Sequence, residues 1–161
     1  DSDPGCRGSY TLTPPEITKA MKTISGQMNL CPNAVTQFEI KWVVEHPEII
    51  DKYVRNVKAE YNLRRQAMVK AFREHLPEAG LHMPPAGFYC FAEISKYTNG
   101  RNDTDVLEML EKKVNVWTLP GSIFAMDPKD GWSRWTYVSE TIERIPTGLE
   151  KAYEGLSSLK I

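Results

Sequence analysis

The sequence predicts an α/β architecture in which three helices precede a small mixed sheet flanked by helices. Three observations lead there. Apolar residues recur at helical spacing through the first half, from Ile17 to Phe72. After Gly80 the period changes, and Phe88 to Ile94 alternates as a half-buried strand does. Two more strand-like runs, Val114 to Leu119 and the stretch from Trp132 to Ser139, follow a helical segment and precede a last helix.

The first helix starts at Thr13-Pro14-Pro15-Glu16, which has the capping-box pattern with proline at the first helical position. Ile17, Ala20, Met21, Ile24 and Met28 form its apolar stripe and are expected to be buried; Gly26, Asn29 and Pro32 end it. A second helix is expected from Asn33 to about Glu45, with Val35, Phe38, Trp42 and Val43 facing inward. Pro47 opens a third that runs to His75, roughly 45 Å long. Its stripe of Ile50, Val54, Val57, Tyr61, Met68 and Phe72 is interrupted by Arg64-Arg65. That length and charge suit a helix bridging two domains, with a solvated coiled-coil-like face as the alternative. Pro84-Pro85-Ala86-Gly87 is a rigid turn into the first strand, and Thr98 to Thr104 is a polar loop. Val106, Leu107, Met109 and Leu110 mark a short amphipathic helix. A Pro120-Gly121 turn ends the Val114–Leu119 strand, and the last helix is expected to bury Leu149, Ala152, Tyr153 and Leu156.

At 161 residues, 41% hydrophobic and 25% charged, the chain can bury one full core. A net charge of −1 gives no electrostatic reason to expect nucleic acid or an anionic membrane as partner, and no run approaches transmembrane length. Cys6, Cys31 and Cys90 are odd in number and widely spaced, which points to reduced thiols and a cytoplasmic setting. His46, His75 and His82 have no ligand spacing, so no metal site is expected. The opening Asp1-Ser2-Asp3-Pro4-Gly5 runs straight into a dense motif and suggests a chain cut mid-fold.

Two arginines stand out chemically. Arg134 lies between Trp132 and Trp135 in a strand-like run, and a permanently charged fork there needs a planar anion. That partner is either a ligand carboxylate or an internal one, Glu93 or Glu140; Trp132, Trp135 and Tyr137 read as core. Arg7, in Gly5-Cys6-Arg7-Gly8-Ser9-Tyr10, is flanked by small residues that allow close approach of a ligand phosphate; the alternative is a surface arginine in a glycine-rich turn.

Read together, these segments resemble the carboxy-terminal part of class I/II aminotransferases, the fold-type I pyridoxal-phosphate enzymes. Gly5 to Tyr10 is similar to that family's phosphate-binding Gly-x-Arg-x-Gly-aromatic segment, with Gly8 and Ser9 in place of an apolar residue and glycine. Pro85 to Tyr89 and Pro120-Gly121-Ser122-Ile123-Phe124 resemble its Pro-x-Gly-x-aromatic and Pro-Gly-x-x-Phe turns. Arg64-Arg65 is similar to paired arginines of its interdomain helix, and Asn29 to Gln37 to a segment that approaches the neighbouring subunit's cofactor in family dimers.

The resemblance implies an aminotransferase small domain over residues 46–161, preceded over residues 1–45 by the carboxy-terminal remnant of the large cofactor-binding domain. It implies transfer of an amino group between an amino acid and a 2-oxo acid on pyridoxal 5'-phosphate, by a cytoplasmic homodimer. Arg7 would bind the cofactor phosphate and Arg134 the substrate carboxylate, with closure between their domains. The family's Schiff-base lysine lies in a Ser-x-x-Lys segment just before the phosphate arginine, so it falls upstream of Asp1 and outside this chain. The chain alone is therefore expected not to transaminate, and to self-associate or be partly disordered over residues 1 to about 45, where apolar helix faces lack the sheet they pack on. The alternatives are a non-catalytic interaction module on the same fold and a fold-type I lyase or decarboxylase.

Overall fold

The computed structural model describes residues 8–9, 11–29, 31 and 33–159. Contacts divide the chain into two units, Asp1–Arg55 and Asn56–Ile161.

In the first unit, α1 spans Pro15–Met28 and α2 spans Ala34–Glu45. The capping box does not form. A residue before proline is pushed out of the helical region, so Pro14 (ψ 150°) becomes the N-cap, and the first helical bond runs from Thr18 N–H to the Pro14 carbonyl. Thr13 instead shares a 2.8 Å hydroxyl contact with Thr18. In α2 the Asn33 side chain caps as an N-cap asparagine should, accepting from Val35 N–H at 2.8 Å. The expected buried stripes are solvent-facing: α1 buries no residue, and Val35, Phe38, Trp42 and Val43 are all exposed. Thr36 is the residue of α2 that is buried, with Gly8 packed against it and Ile40.

Helix α3 spans Pro47–His75, the limits the sequence predicts. Within the second unit its last turns supply Met68, Ala71, Phe72 and, just beyond, Leu76 to the core. Strand β1 (Gly80–His82) follows, then β2 (Tyr89–Glu93), the single turn α4 (Ser95–Thr98) and α5 (Asp103–Val114). Strand β3 (Leu119–Pro120) runs into a 3-10 turn, Gly121–Phe124; β4 (Trp132–Thr136) and α6 (Arg144–Ser157) complete the unit.

Sheet order is β1-β2-β4-β3, and each pairing is antiparallel rather than mixed. Strands β2 and β3, which α5 connects, run in the same direction, but β4 sits between them and is antiparallel to both. The apolar run Val114–Leu119 is mostly not strand. Helix α5 extends to Val114, Asn115 ends it in the left-handed region (φ 56°), and Val116 packs into the core. The last helix buries Leu149, Ala152 and Leu156, whereas Tyr153 points outward. One face of the sheet, carrying Cys90, Ala92, Trp135 and Tyr137, packs on α3, α5 and α6 as a two-layer core.

Candidate functional site

Strand alternation gives the sheet a second face. Trp132, Arg134 and Thr136 of β4 point away from the core, as do Tyr89, Phe91 and Glu93 of β2, so Arg134 stands opposite Phe91 on one side and Leu119 on the other. The strand at the centre of the pairing thus puts its arginine at the centre of the open face.

There the guanidinium lies over two rings. Its Cζ is 4.2 Å from the Tyr89 ring centroid and 4.9 Å from that of Phe124, close enough for cation–π attraction. Phe124 is in turn held edge-on against Phe91 at 5.4 Å. Neither internal carboxylate suggested by the sequence reaches Arg134: Glu93 accepts the Ser95 N–H at 2.8 Å, and Glu140 pairs with Arg144 at 3.0 Å. Among the described residues no carboxylate lies within ion-pair distance of it. The half-buried position changes the electrostatic argument. A cation in contact with solvent and two ring faces needs no anion for the fold to be stable, so its free hydrogen-bonding edge is available rather than demanded.

A shallow recess of about 150 Å³ opens beside it, lined by Tyr89, Trp117, Thr118, Leu119, Arg134 and Thr136. Thr118 has a buried hydroxyl with no hydrogen-bond partner among the described residues. Larger clefts exist, about 860 Å³ beside the end of α3 and β1, and about 390 Å³ between β4, the end of α5 and α6. Size does not select the site, because no cation lining either is seated on an aromatic ring among the described residues.

The 3-10 turn that carries Phe124 is seated by contact. A Cβ on Gly121 would lie 2.4 Å from Trp132 Cβ and 3.0 Å from its carbonyl oxygen, so only glycine fits. At the same end of β4, just before Trp132, Gly131 takes a left-handed conformation (φ 65°) against the Ser95 backbone, and its carbonyl accepts the Ile94 N–H. Trp135 and Tyr137 are core residues, as expected; Trp132 is half-buried on the open face. Under the sheet, burial pushes the Cys90 thiol up to about 12, so it carries no nucleophilic thiolate.

Arg7, the phosphate candidate, lies outside the described residues, as do Cys6 and Tyr10. No lysine among the described residues is buried. Nor do they contain a cluster of three or more His, Cys, Asp or Glu side chains arranged to hold a metal ion, or a helix long and apolar enough to cross a membrane. Two contributors escaped the sequence: Tyr89 and Phe124 as the seat of Arg134. Both stand in motifs visible in the chain, but their meeting depends on strand pairing.

Comparison with known proteins identifies the family. Residues 3–150 match the model of a family described as aminotransferase class I and II. Aspartate aminotransferase of Pyrococcus horikoshii is 32% identical over 154 residues, which cover 94% of this chain and 38% of that protein. Aromatic-amino-acid aminotransferase 1 of Thermococcus litoralis is 28% identical over 157 residues, 94% of this chain and 36% of the relative. The chain thus spans well under half the length of these relatives. Among solved structures, an archaeal alanine:glyoxylate aminotransferase superposes with a TM-score of 0.78 at 20% identity, over 91% of this chain and 36% of that one. An α-aminoadipate aminotransferase from Thermus thermophilus, complexed with N-(5'-phosphopyridoxyl)-L-leucine, gives 0.77 at 19% identity over 92% and 37%. At such identities the structures establish the shared fold.

Proposed function

The chain belongs to the aminotransferase class I and II family, and from that membership we propose that it is the substrate-gripping part of an enzyme that moves an amino group between an amino acid and a 2-oxo acid. The observation that carries the reading is Arg134, a permanent cation at the centre of the open sheet face, resting on two rings and free of carboxylate partners among the described residues. A guanidinium held by ring contacts keeps its planar N–H edge for a two-pronged grip on a carboxylate. Such a grip fixes the acid's orientation as well as its place, which is how binding at one end positions the reacting carbon at the other.

In this reading residues 46–161 serve as interdomain helix and small domain, and residues 1–45 as the last part of the large domain. Arg7 anchors the phosphate of pyridoxal 5'-phosphate. The covalent lysine comes from outside this chain, so the chain by itself does not transaminate, and the longer protein works as a cytoplasmic homodimer.

The test is a titration of the chain with 2-oxoglutarate, followed by NMR or calorimetry. Arg134→Lys keeps the charge and loses the fork, and weakens binding at least about tenfold, equivalent to ~1.4 kcal/mol. Equal affinity of the two proteins defeats the assignment of Arg134. Separately, turnover of an amino acid with 2-oxoglutarate and added pyridoxal phosphate by the chain alone defeats the claim that the lysine lies elsewhere.

A further inference from the structure

We propose that Asp103 is a positioning residue for Arg134, acting through the 3-10 turn that carries Phe124; this rests on the reading of Arg134 as the carboxylate grip. Asp103 is the first residue of α5 and is only 2% exposed. One carboxylate oxygen accepts the Ser122 N–H at 2.8 Å, and the other accepts the Ser122 hydroxyl at 3.0 Å. That second oxygen also takes the Thr104 N–H at 2.7 Å and the Thr104 hydroxyl at 3.3 Å. The side chain thus ties the start of α5 to the middle of the Gly121–Phe124 turn, nineteen residues further on.

What the tie controls is a ring. The bonds from Ala125 N–H to Ser122 and from Met126 N–H to Gly121 are internal to the turn, and the contact of Gly121 with Trp132 seats its first residue, three before Phe124. Phe124 is 38% exposed, and its ring meets the Phe91 ring and the Arg134 guanidinium, so its place follows the backbone that carries it. A charged carboxylate with two acceptor oxygens can hold both donors of Ser122 at once. An asparagine has one acceptor and presents N–H groups to a donor, so Asp103→Asn releases the turn on one side.

The experiment follows the Arg134 side-chain Nε–Hε signal by NMR in the full 161-residue chain, where the two rings displace it by ring current. Asp103→Asn is expected to move that signal toward its free-solution position while the amide signals of the β2–β4 core stay put, and to weaken 2-oxoglutarate binding about tenfold. Thr104→Ala, which touches the same carboxylate from the helix side, leaves the Arg134 signal in place; Ser122→Ala moves it part of the way. An unmoved Arg134 signal in a folded Asp103→Asn protein overturns the proposal. Should that variant fail to fold, Ser122→Ala and Thr104→Ala decide, and equal effects of the two overturn it. A signal that moves on Asp103→Asn in a chain whose Arg134→Lys variant binds 2-oxoglutarate as well as the parent separates the two claims: the positioning stands and the carboxylate role falls.

Discussion

Adding one methyl group to each of three glycines of the second unit should produce three different outcomes, ranked by what each methyl would meet. At Gly121 the new Cβ lands 2.4 Å from Trp132 Cβ, 3.0 Å from the Trp132 carbonyl oxygen and 3.1 Å from the Met126 sulfur. A carbon–carbon approach of that size needs a displacement of about 1 Å to reach ordinary contact, and the obstacles are a Cβ and a backbone oxygen of the central strand, which cannot rotate away. Overpacking of this kind costs about 1–3 kcal/mol. For a unit of roughly one hundred residues, about 2 kcal/mol lowers the unfolding midpoint by about 10 °C. At Gly155 the methyl meets Leu110 Cδ2 at 2.6 Å and Val114 methyls at 3.2 and 3.6 Å, the ends of side chains that can adjust, although Leu110 is fully buried. Alanine's helical advantage of about 1 kcal/mol offsets much of that repacking, so Gly155→Ala should lie between neutral and about 1 kcal/mol less stable. At Gly148 nothing lies within 4 Å, and alanine in α6 should stabilise by about 0.5–1 kcal/mol. Thermal and urea unfolding of the three variants, read by circular dichroism, gives the order directly. If Gly121→Ala unfolds at or above the parent temperature, the turn does not sit on β4 as described; if Gly148→Ala unfolds lower, the open space beside α6 is wrong.

Two further outcomes follow from the second unit. Cys90 should resist a thiol reagent at pH 8 in the folded chain while the exposed Cys31 reacts, as mapped by peptide mass. The unfolded Cys90 thiol loses its proton near pH 9 and the folded one keeps it to about 12, so stability is full below 9 and falls above it by about 1.4 kcal/mol per pH unit; Cys90→Ala should flatten that slope. Arg64 donates to the Val138 carbonyl and pairs with Glu60, whereas its neighbour Arg65 makes no hydrogen bond or ion pair among the described residues. Arg64→Ala should therefore destabilise by about 1–2 kcal/mol and Arg65→Ala by under about 0.5 kcal/mol, and urea midpoints that shift equally would contradict the bonding described.

The long helix and the two central strands were legible in the chain because each is marked locally. Pro47 can begin a helix but not continue one, and the apolar period then runs to Phe72 with one interruption, at Arg64-Arg65. Tyr89–Glu93 and Trp132–Thr136 alternate as strands with one buried face must. What was not legible depends on partners far along the chain. Strand β1 is three residues, too short to show a period in the sequence, and exists because β2 offers an edge. The run from Val114 to Leu119 is apolar for two unrelated reasons, the tail of a helix and a segment packed into the core, and hydrophobicity alone does not separate them from a strand. In α1 the stripe of Ile17, Met21 and Ile24 shows correctly that the helix is one-sided, but a period carries no information on whether that side is covered. The candidate site divides the same way. Arg134 could be singled out by residue type, whereas its ring seat needed the pairing of β2 with β4 and the return of Phe124 over the open face.

That pairing also explains how an arginine comes to stand in a strand whose other face is fully buried. Ser133 and Trp135 flank Arg134 and point into the core; Ser133 is 0% exposed, donates to the Ala92 carbonyl at 3.2 Å and accepts the Trp135 indole N–H at 2.7 Å. The first bond ties the core side of β4 to β2 beside the arginine, and the second, within β4, fixes the indole that flanks it. A slip of one residue would exchange the faces, leaving a serine and an indole in water and placing an unpaired guanidinium among Phe72, Leu110 and Leu156, at a cost of several kcal/mol for the charge alone. Burial of Ser133 and exposure of Arg134 are thus one constraint seen from two sides. Ser133→Ala, which leaves the indole donor without its acceptor, should loosen the register that presents the cation and not merely lower stability.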